Sequence, residues 1–250
     1  MKSKPIIFLL CALIVILLAA GILSNGGVCG YRQFITFNEL TILAGKFGTD
    51  KGSSYHYYTE VYDRFFLPIK DSAGKIFEIG IEKGASLKMW QKYFPNAVIY
   101  GIDIVDCSHL DSDTIKTFVA DQSDRNQLKR SIDIFGGDFD IIVDDGGHSM
   151  EQQQVSFGYL FKYVKAGGYY IIEDVHTSLL PGYGLQDEEN STLKMIENFI
   201  RSGKIKSKYM TEEERSYLTS RIEFCNLFRR QTENTLSINC IFKKKGIFKK

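Results

Sequence analysis

Two acidic pairs follow apolar runs in this chain: Asp144-Asp145, leading into Gly146-Gly147-His148, and Glu173-Asp174, leading into Val175-His176. Carboxylates gathered in neighbouring loops repel unless something neutralises them. An oxygen-rich set of Asp and Glu without cysteine suits a hard cation such as Mg²⁺. His148 lies just beyond Asp145, in a loop that can bend towards the same place, and an imidazole there could take a proton from a substrate hydroxyl. Taken singly, either acid could instead cap the following helix and His148 could be a surface residue. Spacing alone does not choose between Asp144 and Asp145.

A second constellation lies upstream. Phe77-Glu78-Ile79-Gly80-Ile81-Glu82-Lys83-Gly84-Ala85-Ser86 carries a hydrophobic run into a glycine-bearing turn, and Ile102-Asp103 ends the next apolar run. Glycines let a backbone approach a ligand closely, and an acid at a second strand end can accept hydrogen bonds from ribose hydroxyls. Asp121-Gln122-Ser123 follows a third run, where an acid and an amide could read a base edge. Together Glu78, Gly80, Gly84, Ser86, Asp103, Asp121, Gln122 and Ser123 make a candidate nucleoside site. Glu78 stands where the dinucleotide fingerprint G-x-G-x-x-G needs its first glycine, which argues against a nicotinamide dehydrogenase.

These groups need a scaffold that brings strand ends together. Ile76–Ile81, Ala97–Ile104, Ile115–Ala120, Phe139–Val143 and Tyr169–Ile172 read as buried strands, and their near-continuous apolar character suits a parallel sheet covered on both faces. Helical stretches near Ser86–Tyr93, Asp124–Phe135 and Ser149–Val164 alternate with them. Arg221–Phe228 and Thr235–Phe242 read as a terminal hairpin across Arg229–Asn234. The expectation is a doubly wound, Rossmann-like α/β fold. Its seven-stranded sheet is mostly parallel, with one antiparallel strand from the C-terminal hairpin. Ahead of it, residues 37–66 form a helical cap in which Tyr58 and Tyr62 sit at helical spacing and read as core. The domain expected is 37–250, after a linker at 25–36.

Residues 1–24 read as a separate element. Lys2 and Lys4 precede the apolar run Ile6–Leu23, whose length is close to the roughly 20 residues that span a bilayer. A single-pass membrane anchor is expected; a signal peptide cleaved near Ala19-Ala20-Gly21 is the alternative. The flanking lysines would put the remainder outside the cytosol. A net charge of +1 gives no electrostatic case for nucleic acid. The five cysteines form no C-x-x-C pair, which argues against zinc and leaves reduced, buried thiols or a disulfide pair.

The acid, spacer, Gly80 and Gly84 resemble motif I of the S-adenosylmethionine (SAM) methyltransferases, and a parallel sheet closed by a hairpin resembles their class I fold. The stretch from Lys46 to Ser178 resembles, more specifically, the macrolide sugar O-methyltransferases of the mycinamicin and demethylmacrocin type. The matching residues are Lys46-Phe47-Gly48-Thr49-Asp50-Lys51-Gly52 with His56, Tyr58 and Tyr62; Glu78-Ile79-Gly80; Asp121-Gln122-Ser123; Asp144-Asp145-Gly146-Gly147-His148; and Glu173-Asp174-Val175-His176-Thr177-Ser178. The resemblance implies SAM and Mg²⁺ as cofactors and a sugar or other polyol hydroxyl as acceptor. It also implies Asp145, Glu173 and Asp174 as metal ligands, with His148 as base. It favours Asp145 over Asp144. A related carboxylate-metal enzyme of the cephalosporin type with a non-sugar substrate is the runner-up. A non-catalytic, anchored SAM-binding protein is the third reading. A homo-oligomer is left open. The apolar amino-terminal segment departs from the antibiotic-tailoring enzymes, so a macrolide acceptor is not implied.

Overall fold

The computed structural model describes residues 38–246. The apolar run Ile6–Leu23 and the linker at 25–36 lie outside the described residues; within these, no helix is long and apolar enough to cross a membrane.

The expected sheet is present. Seven strands, β1 (Lys75–Ile79), β2 (Val98–Asp103), β3 (Ile115–Val119), β4 (Phe139–Asp144), β5 (Val164–Ile172), β6 (Ile222–Gln231) and β7 (Leu236–Lys244), line up in the order β3-β2-β1-β4-β5-β7-β6. The pairings from β3 across to β5 are parallel, while β7 runs antiparallel to both β5 and β6. The hairpin therefore contributes the one reversed strand.

Side chains alternate across a strand, so each buried strand feeds two cores. Phe77, Ile79, Ile142, Tyr170, Ile172, Cys240 and Phe242 enter one cluster. Ile76, Ile99, Ile141, Val143, Ile171 and Ile241 enter the other. The first is covered by α4 (Arg125–Phe135), α5 (Met150–Leu160), α6 (Thr192–Ser202) and α7 (Glu212–Arg221). The second is covered by α1 (Glu39–Phe47), α2 (Tyr58–Phe66) and α3 (Ala85–Tyr93). Continuous apolar runs were thus the signature of a sheet buried on both sides.

Helix boundaries follow local chemistry. Asn38 caps α1 by accepting from the Thr41 amide, and Gly48 ends that helix in a left-handed conformation. Ser149 and Gln152 form a capping box at the start of α5, as Thr211 and Glu214 do for α7. Helices α6 and α7 are additions to the elements read from the sequence. Three cysteines, Cys107, Cys225 and Cys240, are free thiols, although Cys225 is only half-buried.

Phe157 of α5 is fully buried among Phe161, Tyr170 and Phe242, with ring centroids 5.5, 5.0 and 4.4 Å away. Phe157→Ala leaves a cavity at the junction of α5, β5 and β7. It is expected to cost about 3–5 kcal/mol, read as a lower midpoint of denaturant unfolding at unchanged slope.

Candidate active site

The carboxyl ends of β1 to β5 open onto one cleft of about 680 Å³. Its wall begins at the turn after β1. Gly80 has φ +88°, and a Cβ there would overlap the carbonyl oxygen of Asp145. The Asp145 amide in turn donates to the Ile79 carbonyl at 2.9 Å. Glycine is required because two loops, from β1 and β4, touch through their backbones at this point.

Asp103, at the end of β2, holds the same turn. It accepts from the Ile81 and Glu82 amides at 2.8 and 3.1 Å and from the Val105 amide at 3.0 Å. Burial opposes its charge, yet these backbone donors keep its carboxyl below the usual range. Gly80, Ser86, Asp103, Asp121 and Gln122 line the cleft with Ile104 and Val105. Glu78, Gly84 and Ser123 do not line it. Glu78 has no exposure and accepts from Ser86 Oγ and Trp90 Nε1. Ser123 turns back onto Asp121. The Gln122 amide is committed at both ends: its nitrogen donates to Asp144 at 2.9 Å, and its oxygen accepts from the Gly147 amide at 2.7 Å. It shapes the loop after β4 rather than presenting a free edge.

The two acids of that loop point in opposite directions. Asp144 is buried and receives hydrogen bonds from Ser156, Gln122 and Tyr170. Burial pushes its carboxyl up to about 6, against those donors. Asp145 lines the cleft. Of the two adjacent acids, the backbone turns only Asp145 towards the cleft.

Asp145, His148 and Asp174 can each offer one ligand atom, all within 4.8 Å of one another. His148 Nε2 lies 3.5 Å from Asp174 Oδ2 and 3.9 Å from Asp145 Oδ1, and its buried Nδ1 makes no hydrogen bond. Tyr58 donates to Asp174 Oδ1 at 2.6 Å, with His56 and His176 nearby at 3.8 and 3.9 Å. Burial raises the cost of the Asp174 charge, but the three histidines and Tyr58 more than offset it and hold its carboxyl low.

Glu173 faces inwards. It is 1% exposed and accepts from Tyr62 at 2.7 Å and Lys51 at 2.8 Å. Burial pushes its carboxyl well above the usual range, with Asp145 adding to the rise and Lys51 opposing it. Lys51 itself has no exposure; its ammonium also donates to Asp145 and lies 3.4 Å from Glu78 Oε1. Tyr58 and Tyr62 are buried in the core as their spacing implies, but their hydroxyls, like the Lys51 ammonium, reach the acids, which the spacing does not show. The one available signal was their place beside the Gly-Thr-Asp-Lys-Gly stretch.

No family model matches the chain. Mycinamicin VI 2''-O-methyltransferase of Micromonospora griseorubida is 38% identical over 165 residues, 63% of this chain and 40% of that protein. Demethylmacrocin O-methyltransferase of Streptomyces fradiae is 39% identical over 153 residues, 58% of this chain and 38% of that one. Among solved structures, MycE methyltransferase from the mycinamycin biosynthetic pathway, in complex with Mg, SAH and mycinamycin VI, superposes with a TM-score of 0.68 at 30% identity. That match covers 85% of this chain and 56% of the other. This chain is similar to the macrolide sugar O-methyltransferases and has the class I methyltransferase fold. It spans about two fifths of the length of the curated relatives it matches.

The loop contact at Gly80 gives a direct test. Gly80→Ala combines a left-handed φ with overlap of a carbonyl oxygen, and is expected to lower stability by at least about 2 kcal/mol. Gly45, inside α1, has nothing near its would-be Cβ, so Gly45→Ala should instead stabilise by about 0.5–1 kcal/mol. Denaturant titrations of both variants check the opposite signs.

Proposed function

We propose that this protein is a SAM- and Mg²⁺-dependent O-methyltransferase that transfers a methyl group to the hydroxyl of a sugar or other polyol. The observation that carries the reading is the meeting of Asp145, His148 and Asp174 in the cleft that the β1 turn also lines. The curated relatives, named as O-methyltransferases of mycinamicin VI, L-olivosyl-oleandolide and demethylmacrocin, support it.

The residues fit both ligands. Gly80, Ser86, Asp103, Asp121 and Gln122 surround a volume open to a nucleoside, with the backbone of the β1 turn accessible. The carboxylates of Asp145 and Asp174, which meet at the cleft, form an oxygen-rich donor pair that fits a hard divalent cation. Asp145 and Asp174 would hold the metal from the cleft side. Glu173 stands behind them as the third carboxylate, its oxygens shared with Tyr62 and Lys51. A bound cation supplies Lewis acidity that makes a hydroxyl easier to ionise.

His148 is placed to act on the acceptor proton. Its Nε2 faces the two carboxylates, and Asp174 at 3.5 Å would stabilise the imidazolium formed when the proton arrives. Tyr58 fixes Asp174 from the other side. The Asp103 carboxylate, rigid because three backbone amides hold it, keeps the β1 turn shaped for the nucleoside. Holding both reactants in one cleft contributes as well, since well-oriented partners can gain roughly 7–11 kcal/mol.

The apolar run Ile6–Leu23 supports a single-pass anchor for the full chain. Full-length protein is then expected to stay with membranes through carbonate extraction. A mature amino terminus near residue 22 would instead show a cleaved signal peptide.

For the chemistry, EDTA should abolish turnover with a polyol acceptor and Mg²⁺ should restore it. Asp145→Asn should lose cation binding and activity together. His148→Ala should keep SAH binding but lose about 10²–10⁴-fold in rate, and the deficit should narrow at high pH as hydroxide substitutes. Undiminished turnover in EDTA, or a His148→Ala enzyme as fast as its parent, overturns this mechanism.

A further inference from the structure

Resting on the functional reading above, we propose that Lys51 is a positioning residue that couples the cofactor turn to the metal-binding carboxylates. The geometry places one ammonium between both halves of the site. Lys51 is carried by the loop between α1 and α2, whose Gly48, Thr49 and Asp50 line the cleft. Its backbone is fixed there, because its carbonyl accepts from the Thr59 amide at 3.1 Å. Its side chain runs inwards, fully buried, and meets three carboxylates.

Each carboxylate belongs to a different part of the site. Glu78 is the penultimate residue of β1; its Oε2 accepts from Ser86, which lines the cleft, and from Trp90 of α3. Its Oε1 is buried without a hydrogen bond and faces Lys51 at 3.4 Å. Asp145 follows β4 and Glu173 follows β5, and both accept from the same ammonium. A shift of the β1 turn on cofactor binding moves Glu78, and the ammonium must follow the redistributed charge. Asp145 and Glu173, which depend on that ammonium, are then reset. Removing one member of a buried ionic group leaves the others unpaired, so the group responds as a unit.

A second route links the same two loops. The turn at Gly80 also touches Asp145 through the backbone. If that contact carried the coupling, Lys51 would be dispensable for it.

The test measures binding, not turnover. Calorimetry on the full chain gives the affinity for SAH without and with saturating Mn²⁺, and for Mn²⁺ without and with SAH. SAH is chosen because it lacks the sulfonium charge that would act on the cation directly. In the parent, each ligand is expected to tighten the other by the same factor, at least about fivefold. Lys51→Met keeps an unbranched apolar stem one atom shorter than that of lysine and removes its charge; the factor should fall to within twofold of one. Glu78→Gln removes charge only from the Glu78 leg and should abolish the factor too. That variant decides the matter if Lys51→Met fails to fold by circular dichroism. The ratio isolates coupling from the simple gain in cation affinity that loss of a nearby positive charge would give. A factor as large in either folded variant as in the parent overturns the proposal, as does a parent factor of one with both ligands bound. A parent that binds neither SAH nor Mn²⁺ overturns the functional reading and this proposal with it.

Discussion

Like charge gathered at one edge of a parallel sheet is the constraint around which the site is arranged. Successive strand ends deliver Glu78, Asp103, Asp145, Glu173 and Asp174 to one side of the sheet, because parallel strands all finish at the same edge. Each acid has a distinct answer to the repulsion. Asp103 takes backbone amides. Glu78, Asp145 and Glu173 share the Lys51 ammonium. Asp174 takes Tyr58 and stands among three histidines. The inner acids are closed off by protein groups, whereas Asp145 and Asp174 keep a face on the cleft. Among the described residues, that division brings Asp145, His148 and Asp174 together at the cleft.

The cap formed by α1 and α2 therefore reaches the clustered acids as well as the core. Its apolar side chains, Leu40, Leu43, Tyr62 and Phe66, pack on the sheet face with Trp90 and Tyr93. Its polar tips, Lys51, His56, Tyr58 and Tyr62, reach past that core to the acids. Tyrosine suits this position, with an apolar ring in the core and a hydroxyl at its edge. Burial and the neighbouring carboxylates both push the Tyr58 and Tyr62 hydroxyls upwards, so they remain donors.

Much of this was legible in the sequence, for physical reasons. Buried parallel strands cannot alternate polar and apolar residues, so their runs are conspicuous, and a polar cluster at the end of each run marks the ligand edge. That logic picked out Gly80, Asp103, the pair Asp144-Asp145, His148 and Asp174, of which all but Asp144 line the cleft. It failed where a side chain works at a distance from its own element. Lys51 lies 94 and 122 residues from the Asp145 and Glu173 that it bonds, and no local pattern announces such a pair. Tyr58 and Tyr62 satisfied the helical period, and periodicity does not say where a hydroxyl ends. Asp144 and Asp145 are adjacent, and only the strand's alternation, fixed by pairing with β1 and β5, sends one inwards. Helix α7 escaped because it buries only Leu218 among its ten residues, too sparse a stripe to read.

The remaining cost is conformational. His148 and Asp174 are both held at positive φ, 60° and 52°, where a side chain makes the backbone unfavourable. Such angles persist only when their surroundings over-determine them. Here Thr177 Oγ1 donates to the carbonyls of both His148 and Asp174, at 2.9 and 2.8 Å. Gln153 donates to the Glu173 carbonyl, and the Asp174 amide donates to Tyr58 Oη. One threonine therefore ties together the two strained residues that face each other across the cleft. The strain sits on the residues whose side chains must converge from separate strands, and the hydrogen bonds that maintain it come from the helix and cap that flank them. The two acidic loops are in this way built as one unit, with the facing of imidazole and carboxylate fixed by backbone geometry.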